Sequence, residues 1–308
     1  MATLTDFFNL FGQFAGDTTR SLEENTYIDC RKDPWIVDTT TTYPDNPGGS
    51  DNQFLTIDGR NTTIEGLSVR NTSFMEMKFS GSRRPHVIIK NFNFKNFYVL
   101  ALSSSASLFD LVFNYNNDSI RFFVTFENCR FSGVVDDINS AQSNLFNFSK
   151  PLYNSRAVDL SLSNCSFNIK SSEKARIADE TTRLLIENCL FNINTFRENN
   201  STSDSSVEYI RPNTMIFSKF TGKAINNSRL KIGGINNAYN VYDIQANGTN
   251  GVSLLDMTGS DTCLLNTTKI STGSSAYASK YLLVTQSQMT DKDYLNSIGF
   301  PVGDPPSD

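Results

Sequence analysis

Residues 184–192 read LLIENCLFN, and four other stretches repeat that design: LSLSNCSFN at 160–168, VTFENCRFS at 124–132, VIIKNFNFK at 87–95 and LSVRNTSFM at 67–75. The stretches align on Asn71, Asn91, Asn128, Asn164 and Asn188. Apolar residues stand two and four positions before each asparagine, from Leu67 and Val69 to Leu184 and Ile186. Phe74, Phe94, Phe131, Phe167 and Phe191 stand three positions after it, and the position directly after it holds Thr72, Phe92, Cys129, Cys165 or Cys189.

The phase of this pattern decides the fold. Apolar residues occupy even offsets before the asparagine and odd offsets after it. Side chains of a strand alternate with period two, so a shift of one would send the second half to the opposite face. Both halves face one core only if the chain turns a corner at the asparagine. Asn tolerates the left-handed backbone conformation such a corner needs better than any residue except Gly. Each unit therefore reads as strand, one-residue bend, strand.

The corners are spaced 20, 37, 36 and 24 residues apart. A period of about 20–25 residues suits one coil of a solenoid. Each longer interval holds either one coil with an inserted loop or two coils with one corner disguised. Weaker copies place Gly234 and Gly259 at the corner, and Leu282-x-Val284 reads as a last, degenerate coil. The LxxLxLxxN spacing of leucine-rich repeats is absent.

This pattern resembles the right-handed parallel β-helix of the pectin-lyase-like superfamily, in which a similar asparagine ladder occupies a tight turn between two sheets. The resemblance covers about residues 54–270. It implies an all-β solenoid whose corner amides stack about 4.8 Å apart and can hydrogen-bond from coil to coil. The chain then divides into an N-terminal capping or attachment segment (1–50), the β-helix (51–270), and a last coil with a Pro- and Asp-rich tail (271–308).

Composition sets the remaining bounds. The 308 residues are 38% hydrophobic and only 19% charged, with 24 Phe and a net charge of −5. That charge argues against a nucleic-acid groove, which needs a basic stripe. The opening MATLTDFFNLFGQFAG has no basic n-region and carries Asp6, and no run approaches the length of a membrane span. A soluble product of a cytoplasm without membrane insertion is expected, and no glycan is read into N-x-S/T triplets such as Asn61 and Asn117. Five cysteines exclude a complete disulfide framework. Phe7, Phe8, Phe11 and Phe14 fall on one face of a helix capped by Thr5 or Asp6, suited to covering the first coil. Trp35 is expected to pack in the irregular stretch that follows. Inserted loops are expected at 102–107, 133–156 and 195–213.

Chemistry is harder to find. His86 is the only histidine, which excludes a His-dependent triad and a His-based zinc site. The matching offsets of Cys129, Cys165 and Cys189 read as a core column of reduced thiols, not metal ligands. The calcium-binding aspartates and arginine base of the superfamily's pectate lyases have no counterpart. Weak catalytic candidates remain: Glu127 and Glu187, each one residue before its corner, and Asp136-Asp137 in a loop, which could also hold a cation. Exposed solubilising carboxylates are the plainer reading, so no cofactor, metal or catalytic group is assigned.

An acidic, Asn/Ser/Thr-rich β-helix with an N-terminal helix and no catalytic signature looks like a bacteriophage virion component: a tail spike, fibre or capsid-attached spike. The resemblance implies a homotrimer bound to other virion proteins, located on the virion, and able to contact a host surface glycan. The alternative is a lyase or glycoside hydrolase acting on that glycan. A groove lined by carboxylates and aromatic rings would favour the enzyme, and a smooth Asn/Ser/Thr flank the structural role.

Overall fold

The computed structural model describes residues 2–12, 14, 16–32, 40–42, 53–79, 86–113, 122–137, 142–149, 158–172, 176–178 and 183–195, then shorter segments at 208–210, 214–216, 218–224, 230–233, 236–238, 240–246, 252–255, 263–265, 270–272, 281–283, 285, 287–288 and 291–298. Among these the chain is dominated by parallel β-strands. They form a curled sheet of seventeen strands and two smaller sheets of five and four, an arrangement compatible with an all-β solenoid.

Each strand pairs with its counterpart one repeat later. Before the corner, Phe54–Asp58, His86–Lys90, Phe122–Glu127, Val158–Ser163, Arg183–Glu187 and Thr214–Ile216 succeed one another in parallel. After it, Thr62–Glu65, Phe92–Lys95, Arg130–Asp137, Ser166–Ser171, Leu190–Thr195, Lys219–Ala224 and Val241–Ala246 do the same. The bends between the two runs fall at Asn61, Asn91, Asn128, Asn164 and Asn188, all with φ between 49° and 64°.

Alternation places the core inside this curl. Leu55, Val87, Val124, Leu160 and Leu184 form one buried column, and Ile57, Ile89, Phe126, Leu162, Ile186 and Met215 another. The rings of Phe94, Phe131, Phe167, Phe191 and Phe220 stack with centroids 5.3, 5.0, 4.7 and 4.4 Å apart and planes within 9° of parallel. That spacing is close to the distance between hydrogen-bonded strands. Offset aromatic pairs add about 0.5–1.5 kcal/mol beyond their burial.

Three expectations are corrected. Asn71 has φ 56° but stands at a different corner, between strands Ser68–Arg70 and Ser73–Phe79. Its neighbour Val69 pairs with Val99 rather than Ile89. Phe74 is fully buried, but in the five-stranded sheet, where its strand pairs with Ala106–Phe113. The true partner of Asn91 along the ladder is Asn61, 30 residues earlier.

Secondly, each long interval is one repeat, because Lys90 pairs directly with Glu127 and Glu127 with Ser163. The extra length is no simple loop. Ala106–Phe113 and Ser143–Ser149 are strands of the five-stranded sheet, with Phe109 and Phe146 stacked 5.8 Å apart. Of the expected loop at 195–213, residues 208–210 form a strand and 196–207 lie outside the described residues, as do Trp35 and the tail 299–308.

Thirdly, the repeat continues through Met215 and Phe220, which pair with Ile186 and Phe191. Leu230–Gly233 belongs to the four-stranded sheet rather than to the long sheet that carries the asparagine line. Gly234 and Gly259 lie outside the described residues, whereas Tyr281–Leu283 does pair onto the long sheet through Cys263–Leu265.

The N-terminal helix is Leu4–Asn9, capped by Thr3 in a reciprocal capping box with Asp6 rather than by Thr5 or Asp6. Phe7, Phe11 and Phe14 are buried while Phe8 is partly so. The Phe7 ring lies 5.3–6.3 Å from Phe11, Phe74, Phe92 and Phe94, closing the end of the core. Arg20 completes the fit by donating to the carbonyls of Leu10 (2.8 Å) and Gly12 (2.9 Å), which follow the helix.

Candidate functional site

The outer side of the asparagine corner carries a groove of about 520 Å³ lined by Asn25, Asn61, Thr63, Asn91, Phe92, Asn93, Asn128 and Arg130. Two columns of side chains build it. One is the corner column Asn25, Asn61, Asn91 and Asn128. The other stands two residues further on, where pairing sets Thr63, Asn93 and Arg130 in line. Four rungs at the spacing of paired strands give the groove a length of about 14 Å.

A bulge shapes it. Between Asp58 and Thr62 the register slips, so Gly59, Arg60 and Asn61 together face Asn91. Arg60 and Asn61 both adopt positive φ, 47° and 64°. A Cβ on Gly59 would lie 2.7 Å from the Asn91 carbonyl oxygen, so only glycine fits the close approach. The Asn91 amide is diverted sideways to Asp58 Oδ1 (2.8 Å). Burial pushes Asp58 upward, but the Asn91 amide, the Arg60 N–H (2.9 Å) and Lys90 (3.5 Å) outweigh it and hold the carboxyl below its ordinary value.

Among the described residues, Asn91 alone of the groove's asparagines spends its side-chain amide on another side chain. The side chains of Asn25, Asn61, Asn93 and Asn128 have no hydrogen-bond partner among the described residues. Further along the stack the amides bond to one another: Asn188 donates to Asn164 (2.7 Å), Asn192 to Asn168 (3.3 Å) and Asn194 to Asn192 (3.2 Å).

The carboxylates named from sequence do not converge. Glu127 and Glu187 both point outward in one column, with Ser163 paired between them. Two strand spacings put their backbones about 9.6 Å apart. Neither lines the groove. Asp136 and Asp137 are not in a loop: both are buried at the far end of strand Arg130–Asp137. Tyr98 donates its hydroxyl to Asp136 Oδ2 (3.0 Å), the Asp137 N–H donates to Ser172 Oγ (2.9 Å), and the Ser172 hydroxyl donates to Asp137 Oδ1. Among the described residues no group of three His, Cys, Asp or Glu side chains is placed to hold a metal ion.

Cys129, Cys165 and Cys189 are free thiols buried in successive rungs, where each Sγ lies 3.3–3.5 Å from two main-chain carbonyl oxygens, either of which can accept its one hydrogen. Burial pushes the thiols of Cys129 and Cys189 well above their ordinary value. Ser218 succeeds them, accepting from the Cys189 N–H (3.1 Å), and Asn240 follows. His86 begins a strand. It lies between Phe54 (4.7 Å) and Phe123 (4.3 Å, planes 14° apart), and burial lowers its pKa.

Sequence reasoning missed the groove residues Asn25, Asn61, Thr63, Asn93 and Arg130. The signal available was the outward offset two residues after each corner, which picks out Asn93 and Arg130. Nothing in the repeat marked the bulge. Comparison with protein-family models, curated proteins and solved structures finds no match to this chain.

Proposed function

We propose that the chain is a right-handed parallel β-helix of the bacteriophage tailspike or fibre type, a virion structural protein that supplies a stiff rod for attachment or host-surface recognition. The observation that carries this reading is the unbroken file of stacked phenylalanines, Phe94 to Phe220, inside parallel strands. A core in register from rung to rung resists bending, because any bend must part rings and backbone pairs together. The groove lining supports a structural flank over a glycan-cleaving cleft, since it presents amides, a hydroxyl and a guanidinium but no carboxylate.

On this reading identical chains associate around a threefold axis and meet other virion proteins at one end. The apolar side of helix Leu4–Asn9 is covered by its own chain, so lateral faces supply the contact between copies. Closed rotational symmetry is how identical chains limit such an assembly. Sedimentation equilibrium of the full chain tests it. A trimer at micromolar concentration is expected, and a monomer across that range would overturn both the trimer and the free-standing spike.

A further inference from the structure

We propose that the inner file Cys129, Cys165 and Cys189 is a site for soft two-coordinate metal ions of the copper(I) class, each held between the sulfurs of successive rungs. The site lies in the core and rests on none of the virion reading.

Register brings the three sulfurs into line. Each cysteine directly follows its corner asparagine. The Ser166 N–H donates to the Cys129 carbonyl (3.0 Å) and the Leu190 N–H to that of Cys165 (2.9 Å), so the backbone ladder runs through them. Orientation repeats as well. Each Sγ lies 3.4–3.5 Å from a carbonyl oxygen of the preceding rung, that of Ile89, Phe126 and Leu162 in turn. Each also lies 3.3–3.4 Å from the carbonyl oxygen two residues before it. Equal contacts in every rung make the side chains translational copies, so their sulfurs are separated by the strand spacing of about 4.8 Å. Cys165, in the middle, interacts with both neighbouring thiols. All three are free and at most 3% exposed.

That spacing selects the chemistry. A disulfide requires Cβ atoms about 3.5–4.5 Å apart, closer than undisturbed rungs bring them. Tetrahedral zinc requires four donors, with sulfurs about 3.8 Å apart. Among the described residues no three such donors surround one point. Two metal–thiolate bonds of about 2.3 Å laid end to end span about 4.6 Å, which matches the gap. Soft thiolates favour copper(I), and a linear ion needs no third ligand. Ser218, next in the file, shows that packing at this offset asks only for a small side chain. Sulfur adds affinity for soft ions.

Charge and protons balance. A monovalent ion entering one gap displaces the protons of two thiols and leaves a unit of net charge −1. A second ion in the other gap displaces the third proton, with Cys165 bridging, and the net charge is unchanged. Protons compete for the sulfurs, so capture weakens as pH falls.

For the test, the reduced full chain is loaded anaerobically with copper(I) as its acetonitrile complex, both in the native state and by refolding from urea. A copper(I) chelator then removes the excess. Two ions per chain are expected to remain. Cys129→Ser and Cys189→Ser should each retain one. Cys165→Ser should retain none, because the remaining sulfurs stand two rungs apart. The Cys30→Ser/Cys263→Ser pair should retain both ions. X-ray absorption of the loaded wild-type chain should show two sulfur neighbours per copper. Circular dichroism checks the fold of each variant, and Cys165→Ala replaces Cys165→Ser if that variant misfolds. Retention of no copper by either route overturns the proposal. So do equal losses in the three single variants, dependence on Cys30 or Cys263, or copper with three or more ligands. Sedimentation reads assembly and copper retention reads the core, so either proposal can fail while the other holds.

Discussion

The corner from Asn25 to Asn128 and the corner from Asn164 to Asn188 use one residue type in one backbone conformation, yet they end in different surfaces. In the second, amides bond from rung to rung and the surface is closed upon itself. In the first, Asn91 bonds to Asp58 beside the bulge at Gly59–Asn61, and among the described residues Asn25, Asn61 and Asn128 make no amide contact from rung to rung. The backbone demand is met identically in both, because φ near 50–60° is what the bend requires. Side-chain use is a separate matter. A ladder residue can be obligatory for geometry and still have its functional groups free.

The largest effect expected is common to both halves. Phe94→Ala in the open half and Phe167→Ala in the closed half should each cost about 3–5 kcal/mol in urea unfolding, because each empties a ring-sized place in one continuous file. A cost below about 1 kcal/mol at either would break the file into separate cores. Corner substitutions come next and sharpen the contrast. Asn128→Ala should cost about 1–2 kcal/mol in left-handed strain. Asn164→Ala should cost that and about 0.5–1 kcal/mol more, through the lost acceptor of the Asn188 amide. Glycine at either position should recover most of the strain, and equal costs for the two alanine variants would remove the energetic difference between open and closed corners.

Thiol reactivity probes the inner side of the same corners. Cys129, Cys165 and Cys189 should resist thiol reagents in the native protein and react promptly in denaturant, since each is at most 3% exposed. Native labelling of all three would place them outside the core. The smallest effect concerns His86, whose burial favours the neutral ring. Its folded pKa lies below the unfolded value of about 6.5, so the unfolded chain binds the proton more readily. The stabilisation is complete above that pH and is lost as pH falls below it. His86→Phe should flatten stability between pH 7 and 5, and an unchanged slope would assign the titration elsewhere.

Much of the architecture was legible because a strand pattern that changes phase at one residue admits few conformations. Asn91, Asn128, Asn164 and Asn188 could be aligned from sequence alone. Asn71 was drawn into the same line because Leu67, Val69 and Phe74 satisfy the same offsets around a different left-handed corner. Asn61 escaped because its bulge inserts residues between Ile57 and Ile64 and so destroys the period. The five-stranded sheet was hidden in the longer intervals, where Ala106–Phe113 and Ser143–Ser149 lie well beyond the aligned offsets around Asn91 and Asn128. Met215 and Phe220 continue the file without an asparagine to mark it. The groove was least legible of all. It depends on which acceptor each amide finds, and a one-letter pattern carries no such information.

The docked helix has a consequence for the order of folding. Phe7 packs against Phe74, Phe92 and Phe94, so the helix segment has no finished surface to rest on until the Phe92–Lys95 strand has been made. Later rungs meet a template laid down one repeat earlier, and each closes a loop of modest length. The beginning of the chain must wait longer than its successors, across the largest sequence separation among the contacts that close this end. Long-range closure is slow relative to local pairing. This end of the stack is therefore sealed late, and until then its phenylalanines are open to chaperones or to another unfinished chain.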